Sequence, residues 1–339
     1  MLQKAKKVIE QYKKYKPLTA TRNICYHLLT RERKKSFGNK NADKTFYLIR
    51  SVYDSSPFYI CVKPNLLANY FYVLSHIAYA HEKNWIPFID QLNYPVYTSS
   101  LGEINGTRNA WEYFWNQPYK YSLDDVYGSK NVILSKQSWY GEWSMGYDAK
   151  NHSNKELISF YHKLSETVPL NEATLSHVES EYNKLMPHSE RVLGVSYRFA
   201  GYARESHINA KWHPISPNID ELVGLAIDRF KEWSMDKVLL TSDVESAVEK
   251  FRTSFGDKLL VLPRKRSDAK VKFSAINVNP MYKKENLYNT TLSYITEMEL
   301  LSRRTGLIGT VTSGLRYAIV RNNNRYENLE VLDYGRFAE

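Results

Sequence analysis

The chain is poor in cysteine: Cys25 and Cys61 are the only two among its 339 residues. They lie far apart, in neither a metal-ligand nor a redox-motif spacing, which argues against a disulfide scaffold and is typical of a reducing compartment. Long apolar runs are also missing, since no stretch approaches the roughly 18 residues of a membrane span. No apolar signal core follows Met1. We therefore expect a cytoplasmic protein that does not span a bilayer.

Charge is unevenly distributed along the sequence. Residues 1–50 contain fourteen Lys and Arg against three acids, which accounts for the whole net charge of +11, and the rest of the chain is neutral. We predict that residues 1–50 form a basic helical arm. This arm could simply face solvent, could bind the anionic inner face of the cell membrane, or could bind nucleic acid. Because no nucleic-acid-binding motif accompanies it, we expect no nucleic-acid partner.

Residues 51–190 predict an α/β domain with a helical insert. A β-prone run at 58–62 is followed by helical periodicity over 66–83 and a second strand at 85–90, which is the strand–helix–strand unit of a parallel sheet. Further along, the pattern indicates a strand at 132–134 and helices at 154–166 and 170–185. We place the domain boundary after these helices.

Residues 191–339 alternate between strands and helices. Strands are predicted at 192–197, 237–240, 259–262 and 307–310, and helices at 218–233, 246–255, 285–304 and 314–320. Such alternation is typical of a doubly wound, Rossmann-like sheet. We therefore predict an α/β protein in which two such domains face a cleft.

Polar residues follow three of the predicted strands in the second domain. Arg198 ends the first, Asp243 follows the second, and a Thr-Ser-Gly turn at 312–314 opens a helix after the last. Ligands of open α/β sheets bind at the carboxyl ends of the strands. A guanidinium fork and a helix N-terminus both suit phosphate, so a nucleoside diphosphate fits this set. Taken singly, Asp243 and Ser313 could be helix caps, and Arg198 a structural ion-pair partner.

The same residues carry a resemblance to a known family. Gly194-Val-Ser-Tyr-Arg198 with the loop to His213-Pro214, then Val238-Leu-Leu-Thr-Ser-Asp243, then Gly309-Thr-Val-Thr-Ser-Gly-Leu-Arg316 resemble three ordered blocks of the fucosyltransferase superfamily. That group includes α1,6-fucosyltransferases of the core N-glycan and nodulation types and protein O-fucosyltransferases. The resemblance covers about residues 190–335. A looser similarity at 64–70 corresponds to the turn and helix that open the acceptor domain.

The resemblance implies a GT-B-like fold, GDP-fucose as donor, inversion at the anomeric carbon and no required metal or other cofactor. It implies that Arg198 holds the β-phosphate, that Asp243 contacts the nucleoside or orders the cleft, and that His213 supports the loop of the first block. The phosphate-binding turn would comprise Thr312, Ser313 and Gly314. The acceptor would be a glycan hydroxyl, on a surface polysaccharide or a lipid-linked glycan, with Asn65, Asn69, Asp90 and His207 as acceptor-side candidates.

The general base and the donor sugar leave alternatives open. Glu205 lies in the loop where the family places a catalytic carboxylate, and His207 and Asp90 are further candidates for the base. Ser196 stands where the family has a histidine, and no acid follows Arg198 within Phe199-Ala-Gly-Tyr202. Another nucleotide sugar, or a non-catalytic glycan- or protein-binding module on this fold, would also accommodate these departures.

Overall fold

A computed structural model describes residues 31–50, 66–92, 102–136, 149–186, 190–199, 202–203, 213–266 and 284–337. These residues form two compact units. The first contains residues 31–50, 72–92, 102–113 and 117–136, and the second contains 66–71, 114–116 and the described residues from 149 onward. Each unit has its own sheet, so the predicted α/β class with parallel strands is confirmed, whereas a cleft between facing domains stays a prediction.

The first unit is built on a four-stranded sheet in the order β1-β4-β2-β3. Its strands are β1 Arg33–Lys35, β2 Phe46–Arg50, β3 Ile86–Asp90 and β4 Val132–Leu134. Strand β2 is parallel to both β3 and β4, and β1 pairs antiparallel with β4 at one edge. Helix α1 (Leu66–Glu82) follows β2 and precedes β3 along the chain, and the short helix α2 (Leu123–Tyr127) precedes β4.

Strands β1 and β2 correct the predicted basic helical arm over its last part, residues 31–50. Residues 31–50 contain β1 and β2 and no helix, and Phe46, Tyr47, Leu48 and Ile49 of β2 are buried. This apolar run stabilises a central strand because its side chains leave water on both faces of the sheet. Residues 1–30 and the strand predicted at 58–62 lie outside the described residues.

The exposed edge of β3 is covered by a side chain. The backbone N–H of Ile89 donates to Gln117 Oε1 at 2.9 Å, and Gln117 Nε2 donates to the Ile89 carbonyl at 2.8 Å. One amide side chain thus pairs with both backbone groups of Ile89 on this edge strand. It fixes the strand just before Asp90, one of the acceptor-side candidates.

The second unit contains a five-stranded, all-parallel sheet in the order β7-β6-β5-β8-β9. Its strands are β5 Val192–Tyr197, β6 Lys237–Ser242, β7 Leu259–Leu260, β8 Gly306–Thr310 and β9 Asn328–Leu332. Its helices are α3 Lys155–Glu166, α4 Glu172–Leu185, α5 Ile219–Glu232, α6 Glu245–Phe255, α7 Lys284–Ser302 and α8 Ser313–Asn322. The doubly wound sheet is therefore confirmed, with β9 as a strand that the sequence did not predict.

Helices α3 and α4 start where the sequence indicates, at Asn154 and Asn171, whose side chains accept from backbone N–H groups of the first turns. They pack within the second unit, since His162 Nδ1 lies 3.0 Å from the Val320 carbonyl oxygen of α8 and Arg303 pairs with Glu179 at 2.6 Å. This division differs from the predicted boundary near residue 190. Across the described residues, no helix has both the length and the apolar character needed to cross a membrane.

The strand order of the second unit defines where its ligand crevice lies. Strand β5 is central, and the chain proceeds from β5 to β6 on one side and later to β8 on the other. The carboxyl ends of β5 and β8 therefore form the switch point at which open α/β sheets bind ligands. Arg198 and Thr312 come directly or almost directly after these two strands.

Candidate functional site

The three strand ends predicted to carry the site meet in one pocket of the second unit. Its volume is about 260 Å³, part of it open to solvent, and it is lined by β5, β6 and the residues that directly follow them, by α7, and by the N-cap of α8. The lining residues are Ser196, Tyr197, Arg198, Thr241, Ser242, Asp243, Tyr294, Glu297, Met298 and Thr312. Arg198, Asp243 and Thr312 of the predicted donor site therefore share one cavity.

Arg198 and Asp243 form an ion pair across adjacent strands. Arg198 Nε lies 3.4 Å from Asp243 Oδ2, and the side chains are 33% and 6% exposed. Asp243 Oδ1 also accepts the backbone N–H of Phe199 at 2.8 Å. The carboxylate thus holds both the side chain of Arg198 and the backbone that follows it, while the guanidinium keeps solvent access at the pocket.

The helix-cap interpretation is wrong for Asp243 and Ser313. The N-cap of α6 is Val244, without a side-chain cap, and the N-cap of α8 is Thr312, whose Oγ1 accepts the Leu315 N–H at 3.0 Å. The Thr312 hydroxyl therefore caps the helix. Ser313 lies in the first turn of α8, where backbone N–H groups and the positive end of the helix dipole favour an anion.

Gly314 sets how closely α8 approaches α7. A Cβ atom at this position would lie 2.5 Å from Tyr294 Oη and 2.8 Å from Met298 Sδ, both on α7. Only glycine fits this contact without displacing the wall of the pocket. The geometry shows that Gly314 allows α8 to pack closely against α7. Its role in donor binding stays a prediction.

Helix α7 supplies the pocket wall that sequence analysis missed, through Tyr294, Glu297 and Met298. The Tyr294 ring centroid lies 5.9 Å from the Arg198 guanidinium carbon, within cation–π range. Burial raises the pKa of Tyr294, with Glu297 and Asp243 adding to the effect against Arg198, so its phenol stays protonated and able to donate. The sequence pattern indicated the helix but not which of its residues face the pocket.

Two further arginines lie behind the pocket wall. Arg264 donates to both carboxylate oxygens of Glu297, at 2.7 and 2.9 Å, and to the Ser242 carbonyl at 2.7 Å. Arg266 donates to the same carbonyl at 3.2 Å and to Glu297 Oε1 at 3.4 Å. Burial works to lower the pKa of Arg264, but the paired carboxylate outweighs it and the pKa is raised. Burial lowers the pKa of Arg266, but a guanidinium keeps its proton in proteins, so both arginines are charged.

The loop of the first block is anchored beside Arg198. The ring of His213 packs against that of Tyr202, with 4.7 Å between centroids, and Ser216 Oγ donates to the Arg198 carbonyl at 3.2 Å. His213 thus contacts the described part of the loop, and its role in donor binding stays a prediction. Sequence analysis missed Ser216, which carries no motif of its own.

The two acceptor-side candidates among the described residues, Asn69 and Asp90, do not line this pocket. Asn69 is 1% exposed on α1, a placement that favours packing. Asp90 belongs to the first unit, where its carboxylate accepts the Tyr127 hydroxyl at 2.5 Å and the Leu92 N–H at 3.1 Å. Burial, reinforced by the Asp90 carboxylate, raises the pKa of Tyr127, so the phenol remains a donor. Asn65, Glu205 and His207 lie outside the described residues.

Comparison with known proteins gave matches among solved structures alone. No protein-family model matches the chain, and no curated protein matches it. A NodZ alpha-1,6-fucosyltransferase soaked with GDP-fucose is 12% identical over 82% of this chain and 92% of that chain, with a TM-score of 0.45. The fucosyltransferase NodZ from Bradyrhizobium is 14% identical over 81% and 92%, with a TM-score of 0.46. A POFUT1 structure in complex with GDP-fucose is 9% identical over 85% and 73%, with a TM-score of 0.36.

Proposed function

We propose that the chain is an inverting glycosyltransferase that moves fucose from GDP-fucose to a hydroxyl of a glycan acceptor. The observation that carries the proposal is the meeting of Arg198, Asp243 and the N-terminus of α8 in one pocket at the carboxyl ends of parallel strands. A solvent-accessible guanidinium and a helix N-terminus together favour a phosphate group there. The choice of fucose as the donor sugar and of inversion at the anomeric carbon rests on the family resemblance of the three sequence blocks that contain these residues.

The mechanism follows from where charge develops. As the bond between the sugar and the nucleotide breaks, negative charge grows on the leaving β-phosphate. Arg198 and the first turn of α8 are preorganised donors and stabilise that charge as it forms. Because the positive charge comes from the protein, we propose that transfer needs no metal ion, and activity should persist in excess chelator.

The base that takes the acceptor proton is the least constrained part. Asp90 already accepts two hydrogen bonds, one of them from the short contact with Tyr127. Both contacts occupy the carboxylate within the first unit, and Asp90 does not line the candidate donor pocket. We therefore keep Glu205 as the proposed base, with His207 as the alternative, on the family pattern of the first-block loop.

A second donor remains a candidate because of Ser196. This residue lines the pocket at the position where the family pattern has histidine. Its small side chain removes one contact to a guanine base, which favours a transferase for a different nucleotide sugar. Because no acid directly follows Arg198, a non-catalytic glycan- or protein-binding module is a further candidate function.

A peripheral membrane contact also fits the proposal. All three residues of β1, Arg33, Lys34 and Lys35, are exposed at the edge of the first sheet. Basic side chains on an edge strand discourage pairing with other chains, and they also attract an anionic surface. A lipid-linked glycan acceptor would be presented at such a surface.

A thermal-shift panel of GDP, UDP, ADP, CMP and dTDP tests the donor assignment, since a ligand that binds only the folded state raises the melting temperature. We expect GDP to give the largest shift and GDP-fucose to release GDP when an acceptor is supplied. A larger shift with UDP would overturn the guanine assignment. A GDP shift without turnover over a broad acceptor set would favour the binding module.

A further inference from the structure

We propose that Glu297 is a positioning residue: through Arg264 and Arg266 it fixes the Ser242–Asp243 corner, and thereby places Arg198 against the donor phosphate. The inference rests on the proposed function for its catalytic readout. It adds a role for residues outside the three sequence blocks. No sequence motif indicated Glu297, Arg264 or Arg266.

The contacts converge on a single backbone group. The Ser242 carbonyl, at the carboxyl end of β6, accepts from Arg264 Nη2 at 2.7 Å and from Arg266 Nε at 3.2 Å. Glu297 binds Arg264 in a two-pronged contact and also reaches Arg266. Its carboxylate therefore orients both guanidinium groups that hold this carbonyl.

The next residue transmits the position to the pocket. Asp243 follows Ser242 directly, and its two oxygens contact Arg198 Nε at 3.4 Å and the Phe199 N–H at 2.8 Å. A shift of the Ser242 carbonyl would therefore move the carboxylate that orients Arg198. Since misplacing a catalytic group by about 1 Å can cost on the order of 10²-fold in rate, such a corner has to be held firmly.

Stability alone is a poor account of this network. Its side chains are 8%, 4% and 2% exposed for Arg264, Arg266 and Glu297, so three charges have been taken out of water. Well-packed apolar residues often stabilise a protein as well as a buried ion pair does. Glu297 and the Ser242 that the two arginines hold also line the candidate site, which favours a geometric role.

A matched control lies on the same helix. Glu299 is 2% exposed, like Glu297, and its carboxylate accepts from Arg321 Nε at 2.9 Å and from the Tyr317 hydroxyl at 2.6 Å. It does not line the pocket. Glu297→Gln and Glu299→Gln therefore remove the same charge from the same helix, with only the first connected to the Ser242 carbonyl.

The test compares both variants in the wild-type and Arg198→Ala backgrounds. We expect Glu297→Gln to lower kcat by about 10-fold or more with a smaller change in donor KM. Glu299→Gln should lower the melting temperature similarly but leave kcat within about 2-fold of wild type. In the Arg198→Ala background the effect of Glu297→Gln on kcat should disappear, because the residue through which it acts is gone.

Three results would overturn the inference: an unchanged kcat in Glu297→Gln, an equal loss in Glu299→Gln, or a full loss retained in the Arg198→Ala background. If Glu297→Gln does not fold, Arg264→Lys replaces it, since it keeps the charge but loses the fork. A wild-type protein that turns over no nucleotide sugar would refute the proposed function. The inference would then be judged by the crystal structure of Glu297→Gln, in which an unmoved Asp243–Arg198 pair would refute it.

Discussion

Arg198 Nε and Asp243 Oδ2 lie 3.4 Å apart at the ends of neighbouring parallel strands, beyond the 2.7–3.2 Å typical of an N–H···O bond. Asp243 makes its shorter contact, 2.8 Å, with the backbone N–H of Phe199. The carboxylate is thus held by the backbone N–H, and its contact with the guanidinium is the longer of the two. Because its contact with Asp243 is long and its side chain is one-third exposed, the Arg198 guanidinium can contact an incoming phosphate while Asp243 stays in place.

The first prediction concerns the charge on Arg198. Arg198→Ala should reduce kcat by on the order of 10²-fold or more, because one preorganised donor to developing charge is lost. Arg198→Lys should recover only part of it, since an ammonium group cannot make a two-pronged contact. Melting temperature and single-turnover rate are measured on the same preparation.

If Arg198 were only a structural ion-pair partner, the melting temperature and the single-turnover rate would change differently. A purely structural partner of Asp243 would leave a mostly buried carboxylate less satisfied, at a cost on the order of 1–3 kcal/mol. The variant would then melt early and still transfer sugar at the wild-type rate in its folded fraction. That outcome would remove Arg198 from the catalytic machinery.

The sheet of the second unit was predictable because its strands are short apolar runs separated by helical periodicity. Strand β5 is buried at every position, which leaves no ambiguity with an amphipathic helix. The polar residues after the strands stood out for the same reason. Parallel strands then bring Arg198, Asp243 and Thr312 to one edge of the sheet.

Other parts of the fold had no local signal. The four apolar residues of β2 stand among fourteen basic residues, and their composition hid a central strand. In α7, residues 295–302 are all buried, so no apolar stripe marks the side that faces the pocket. Arg264 and Glu297 come from separate elements, and only the tertiary structure pairs them.

A second prediction concerns the Tyr294 hydroxyl. Burial raises the pKa of this phenol, so it should donate to an anion throughout the range from neutral to moderately alkaline pH. Tyr294→Phe should weaken GDP binding by on the order of 10- to 100-fold, the scale of one lost hydrogen bond to a charged group, with little change of fold. Calorimetric titration measures the affinity.

Tyr317→Phe is the control for that substitution. Its hydroxyl donates to Glu299 at 2.6 Å and is not part of the pocket. It should lower the melting temperature without changing GDP affinity. Equal affinities for all three proteins would show that Tyr294 does not contact the nucleotide.

A third prediction concerns two glycines in helices. Gly314→Ala should destabilise the protein by on the order of 1–3 kcal/mol, because the added carbon would overlap Tyr294 and Met298. Gly224→Ala should stabilise it by about 0.5–1 kcal/mol, since this exposed position in α5 has no atom within 4 Å of the new carbon. Denaturant unfolding measures both. A neutral Gly314→Ala would mean that α7 and α8 can separate without cost.

The final prediction concerns the basic edge strand β1. Deleting residues 1–50 would also remove β2, the strand paired on both sides in the first sheet, so a deletion cannot isolate the effect of charge. Replacing Arg33, Lys34 and Lys35 with Gln leaves the core intact, because all three side chains are exposed. Each basic residue near an anionic surface contributes about 1 kcal/mol, so binding to phosphatidylserine vesicles at low salt should fall by on the order of 10²-fold.

The control replaces three exposed lysines of the second unit, Lys155, Lys163 and Lys184, with Gln and changes the net charge equally. Equal losses in the two variants would mean that total charge governs adsorption, and no vesicle binding by the wild-type protein would rule out the membrane contact.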